Sequence, residues 1–116
     1  MRKALIGSLM VVALAAFGSP AFAQDKDKGA TVFAANGCSM CHSIAGKGNP
    51  KGPLDDVGSK LSATEIRGWI TDPAGSAAKA KADRKPPMAA MQAKFKDLSK
   101  QDLDDLVAYL ASQKKK

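Results

Sequence analysis

The residues best equipped for chemistry sit within one short stretch, Cys38-Ser39-Met40-Cys41-His42. Two thiols separated by two residues, with an imidazole directly after the second, is the spacing of a covalent haem attachment site. Each part has a task there. The thiols lie on one side of a turn and can bond to the two vinyl groups of one porphyrin, and the imidazole can ligate its iron from below. The inventory narrows the choice, because the 116-residue chain has two cysteines and one histidine, all inside this stretch.

Two plainer uses of the same residues are weaker. Structural zinc takes four Cys, His or acidic ligands in a closed tetrahedron, and Cys38, Cys41 and His42 have no second pair to complete one. A disulfide or thiol–disulfide exchange site between Cys38 and Cys41 is the stronger rival. Thioredoxin-like motifs follow a strand and open a helix, whereas the residues before Cys38 read as helix and no strand-rich segment stands out.

An iron held by His42 has a second axial position. Met88 and Met91 are the candidates, since a thioether is a soft ligand suited to iron and His/Met ligation raises the potential. Methionine also fills irregular core gaps, so on residue type alone either could serve and the other pack. Met40 lies between the two cysteines and cannot easily reach the opposite side. With one histidine in the chain, bis-histidine ligation within it is excluded.

These groups need elements to position them. Met1 to Ala23 reads as a secretory signal: Arg2 and Lys3, an apolar run from Ala4 to Phe17, then Ala21-Phe22-Ala23 as a cleavage site. The run is too short and too soon interrupted for a membrane span. Cleavage after Ala23 leaves one domain, residues 24–116. Without Arg2 and Lys3 the 18 basic residues become 16 against 11 acidic ones, a net charge of +5. That excess suits solubility and encounter with an acidic protein partner. It gives no reason to propose nucleic acid, because no basic patch is interleaved with aromatics.

Asp25 to Asn36 reads as a first helix stopped by Asn36-Gly37. Gly29 within it costs about 1 kcal/mol relative to Ala, which a close helix contact would explain. Gly46, Gly48, Pro50, Gly52, Pro53 and Gly58 mark Ile44 to Ser59 as a loop. Ser62-Ala63-Thr64-Glu65 is a capping box ahead of Ile66, Trp69 and Ile70 on one face, and Asp72-Pro73 ends that helix. Trp69 is expected to anchor the core, its alternative being contact with the haem edge. Gly75 to Pro87 is a connection with one helical turn near Ala77 to Asp83. Ser99 caps a last helix whose stripe is Leu103, Leu106, Val107 and Leu110, with Asp104 and Asp105 off the stripe and facing water.

Together these stretches resemble the class I cytochromes c, small single-haem proteins of bacterial periplasms. The resemblance covers the whole of residues 24–116. It rests on Gly29-Ala30-Thr31-Val32-Phe33, the attachment stretch, Gly52-Pro53-Leu54, and Leu103 to Leu110 with Tyr109. It implies an all-α fold, a cytochrome c-like bundle of three to five short helices wrapped around one covalently attached haem c. First and last helices would cross at Gly29, Phe33 and Tyr109, and the Pro53 carbonyl would accept from His42. Arg84-Lys85-Pro86-Pro87-Met88 resembles the family's Pro-Pro-Met element and assigns the distal ligand to Met88. Met91, seven residues before Leu98, also has a spacing found in the family.

The expectation is therefore a monomeric, soluble periplasmic electron carrier, not an enzyme. Cys38 and Cys41 would bond the haem, and His42 and Met88 would ligate its iron. Its partners would be redox proteins with acidic docking surfaces, such as a membrane oxidoreductase or a terminal reductase or oxidase. The rivals are a five-coordinate haem protein that binds a gas or peroxide, and a Cys38/Cys41 thiol–disulfide oxidoreductase.

Overall fold

The computed structural model describes residues 24–115, so the expected signal segment 1–23 lies outside the described residues. The described residues form six α-helices, two single 3-10 turns and one two-stranded hairpin. Two of the helices are only four residues long, α2 (Val57–Lys60) and α5 (Gln92–Phe95). The longer ones are α1 (Lys26–Ala35), α3 (Ala63–Thr71), α4 (Pro73–Ala80) and α6 (Lys100–Ala111). None of the described helices is long and apolar enough to cross a membrane.

Local chemistry explains where each long helix starts. Asp25 caps α1 by accepting from the amides of Asp27 (2.9 Å) and Lys28 (3.1 Å). In α3 the capping box is complete, with Ser62 Oγ accepting from Glu65 N and Glu65 Oε1 accepting from Ser62 N. Ser99 Oγ accepts from Asp102 N at the start of α6. Each cap satisfies amides that a helix N-terminus otherwise leaves without partners. Asp72 does two jobs: it closes α3 and its side chain accepts from Gly75 N to open α4, with Pro73 at the first helical position. The stop expected at Asp72-Pro73 is thus also a start, because proline's fixed φ suits the first turn of a helix. The helical turn expected near Ala77 to Asp83 belongs to this longer α4.

The core is built between α1, α3 and α6. Val32, Phe33, Ile44, Ile66, Ile70, Leu106, Val107 and Leu110 are buried together. Phe33 meets Tyr109 edge to face, with ring centroids 5.8 Å apart and planes at 67°. Helix α1 crosses α6 at Gly29, where a Cβ would collide with the Asp105 carbonyl and the Tyr109 Cβ. The glycine is therefore a steric requirement of the crossing. Trp69 does not anchor the core as expected. It is half-buried, and the buried positions of α3 are Ile66 and Ile70.

The acidic pair of α6 departs most from the sequence expectation. Asp104 and Asp105 do not face water; they are 6% and 1% exposed. Asp104 lies under Arg67 of α3 (2.6 Å) and Lys100 of its own helix (2.9 Å). Asp105 accepts from the amide of Asp25 (2.9 Å) and from Gln101 Nε2 (2.8 Å). Its negative charge meets the positive end of α1. A one-face reading fails here because α6 is covered on several sides. Asp105 and Tyr109, one turn apart, form the ridge that α1 crosses.

Candidate functional site

Helix α1 ends at Asn36, and Gly37 follows in the left-handed region at φ 68°, which turns the chain sharply into Cys38. Cys38 to Met40 then form a 3-10 turn. The Cys38 carbonyl accepts from the amides of both Cys41 (3.2 Å) and His42 (2.9 Å). That double acceptance wraps the two cysteines and the histidine around one point. Neither cysteine is in a disulfide. Cys38 packs against the core, and burial pushes its thiol up to about 11, with Lys94's charge drawing it partly back. Met40 points away, 72% exposed.

The loop expected over Ile44 to Ser59 is more structured than its glycines and prolines suggest. Strands β1 (Ser43–Ile44) and β2 (Lys47–Gly48) pair antiparallel, and α2 closes the segment. The hairpin folds back under the attachment turn. Asn49 N reaches the carbonyls of Ser39 (3.0 Å) and His42 (3.1 Å), and Asn49 Nδ2 donates to Met40 O at 3.0 Å. Gly48 sits at φ 108° where a Cβ would strike the His42 carbonyl. Asn49 thus braces the turn from beneath. The sequence held no signal for this, since Asn in a Gly/Pro-rich loop is ordinary turn composition.

His42 is half-buried, and its Nδ1 lies 3.1 Å from the Gly52 carbonyl. A carbonyl can only accept, so Nδ1 carries the proton and Nε2 presents a lone pair. Burial holds the imidazole below its ordinary pKa, the Gly52 contact opposes this, and Arg84 adds to it. A neutral ring with a free Nε2 is what a metal-bound histidine needs. The acceptor is Gly52, not Pro53 as the resemblance implied. Ser43 N also donates to Gly52 O (3.0 Å) and Leu54 N to Ser43 O (2.8 Å). This short pairing carries the Gly52 carbonyl to the ring and leaves Pro53 bridged beside Ser43.

The methionines arrive from the other half of the chain. Pro87, extended at ψ 148°, leads into a 3-10 turn over Met88–Met91, and α5 follows. With three residues per turn, positions i and i+3 eclipse, so Met88 and Met91 lie on one side of the turn. Both are half-buried, and Met88 packs against the core. Two contacts bring this segment to the attachment turn. Arg84 donates to the Cys41 carbonyl at 2.7 Å. Lys94 Nζ lies within 3.3 Å of where a Gly37 Cβ would be.

Two thiols in one turn, an oriented imidazole and a pair of thioethers on a separate segment make a donor set that fits a haem. Reactive cysteines have depressed pKa values, whereas burial raises that of Cys38.

Comparison with known proteins agrees with this geometry. A family model described as cytochrome c matches residues 26–114. The chain is also 38% identical over 115 residues to cytochrome c6 of Picosynechococcus sp., an alignment covering 97% of this chain and 95% of that protein. No solved structure matches significantly.

Proposed function

The chain belongs to the cytochrome c family, an electron-transfer protein with one covalently bound haem c, and from that premise we propose a soluble periplasmic carrier in which His42 and Met88 ligate the iron. Haem c, when bound, supplies an iron that alternates between Fe(II) and Fe(III). Cys38 and Cys41 hold it through two thioether bonds. His42 ligates through Nε2 while the Gly52 carbonyl keeps its ring from rotating. The contact between Nδ1 and Gly52 is the observation that carries this reading, because it fixes the tautomer and leaves Nε2 free and aimed.

Met88 supplies the second ligand from the turn after Pro87, and Met91 packs beside it. With His42 and Met88 both ligating, the iron would have no open position for substrate. Residues 1–23 direct export and are removed after Ala23, leaving a chain of net positive charge. Lysine-rich surfaces then steer brief docking to redox partners with acidic surfaces, such as a membrane oxidoreductase or a terminal oxidase. Electron transfer to such a partner should slow as salt is raised; a rate indifferent to salt would count against this docking mode.

One observation favours a rival. Met88 packs on the apolar core, as a filler residue would, and a five-coordinate iron would then be open to a gas or peroxide. Absorption spectra of the periplasmically matured protein and its Met88→Ala and Met91→Ala variants separate the two. The oxidised wild type should show the weak near-infrared sulfur-to-iron band, and Met88→Ala alone should lose it. Loss in Met91→Ala alone would move the ligand by one turn. A wild type without the band that binds carbon monoxide rapidly when reduced would replace the carrier reading with the rival.

A further inference from the structure

We infer that Arg84 is a positioning residue: it straps the methionine-bearing segment onto the loop that holds His42. This rests on the proposed ligand assignment, and it concerns how the two ligands are held in one unit. Residues 82–87, which lead into Met88, are exposed and non-helical. Such a stretch has little packing of its own, and segments of that kind open at low free-energy cost. Arg84 lies in its middle and donates from a guanidinium nitrogen to the Cys41 carbonyl, 43 positions earlier in the chain.

The seat for that guanidinium is built into the partner loop. Gly52 is buried, and a Cβ there would collide with both the Arg84 guanidinium and the Cys41 carbonyl. The bare face of Gly52 is therefore the space that Arg84 occupies. Cys41 precedes His42, and Gly52 supplies the carbonyl that orients its ring. One side chain thus touches both backbone positions that fix the histidine, and it stands four residues before Met88. A planar, multi-donor guanidinium can span two such positions, whereas a lysine ammonium is a compact point charge. Lys85, the next residue, has no comparable seat among the contacts described.

The test uses the matured haem protein with Arg84→Ala, Arg84→Lys and, as a control, Lys85→Ala. Hydrogen–deuterium exchange is read peptide by peptide, and the near-infrared band and helical circular dichroism are followed in urea. Arg84→Ala should exchange several-fold faster over residues 81–91 and 41–52, with 26–35 and 100–111 unchanged. It should also lose the band at lower urea than the helical signal. Arg84→Lys should recover only part of the difference, and Lys85→Ala should match wild type. Unchanged exchange in Arg84→Ala, equal acceleration across all helices, or an equal effect from Lys85→Ala would each overturn the strap. A wild type lacking the band would remove the methionine assignment alone, since the exchange pattern still judges Arg84.

Discussion

Replacing Gly29 by alanine should destabilise the protein, although helix propensity predicts the opposite. Inside a helix, alanine is favoured over glycine by about 0.5–1 kcal/mol. Against this stands the crossing with α6. The new Cβ would overlap the Asp105 backbone carbonyl and come within 2.5 Å of the Tyr109 Cβ. Neither is the yielding end of a long side chain, so relief requires α1 to move off α6. That movement would loosen the Phe33–Tyr109 contact and the bond from Asp25 N to Asp105. Forcing a methyl group into such a contact costs typically about 1–3 kcal/mol. The net expectation is a loss of roughly 1–2 kcal/mol after the propensity gain is subtracted. With a urea m-value of about 2 kcal/mol/M for a small domain, the midpoint should fall by roughly 0.5–1 M. The assay is urea unfolding of the oxidised haem protein followed by circular dichroism. Thr31→Ala, on the exposed side of the same helix, isolates propensity and should be neutral or slightly stabilising. A Gly29→Ala midpoint at or above wild type would refute the steric account of the crossing.

Other outcomes follow from the same contacts. Lys100, then Arg67, hold the Asp104 carboxyl below its ordinary range. A lowered folded-state pKa adds stability above the unfolded value near 3.9 that is lost as pH falls through the folded one. The stability gap between wild type and Asp104→Asn, measured by urea titration from pH 7 downward, should therefore be widest near neutrality and shrink below about pH 4. Leu106, 2% exposed at the centre of the core, should cost about 2–5 kcal/mol as alanine, read as a fall in thermal midpoint. Ser62→Ala, which removes the capping-box oxygen of α3, should cost about 1 kcal/mol by the same measurement. Its effect should add to that of a Glu65→Ala change by less than the sum, because each residue's partner is the other.

Much of the fold was legible because its signals are local. The caps Ser62 and Ser99, the stop at Asn36-Gly37 and the stripe of α6 each depend on residues within a turn or two of one another. Period and capping chemistry suffice to read them. Asp104 and Asp105 escape such a reading for the complementary reason. Their burial is imposed by Arg67 and by the start of α1, 37 and 80 positions away, and no local pattern carries that information. Trp69 is of the same kind: its size marks it as a core residue, but which side of α3 meets α6 is settled by packing.

The candidate site divides along the same line. Cys38, Cys41 and His42 stand out in the sequence as candidates, since the chemistry proposed for them requires short spacing and the chain holds no other thiol or imidazole. The sequence also offered two methionines near a Pro-Pro element as candidates for a second iron ligand. Tertiary structure decided what surrounds them. It put the Gly52 carbonyl on the His42 ring, braced the turn with Asn49, and brought Arg84 to the Cys41 carbonyl. Those contacts join residues separated by 9, 10 and 43 positions, so they exist only once a loop has closed. A sequence states which groups are able to bind; the folded backbone determines which carbonyl or guanidinium comes to lie beside them.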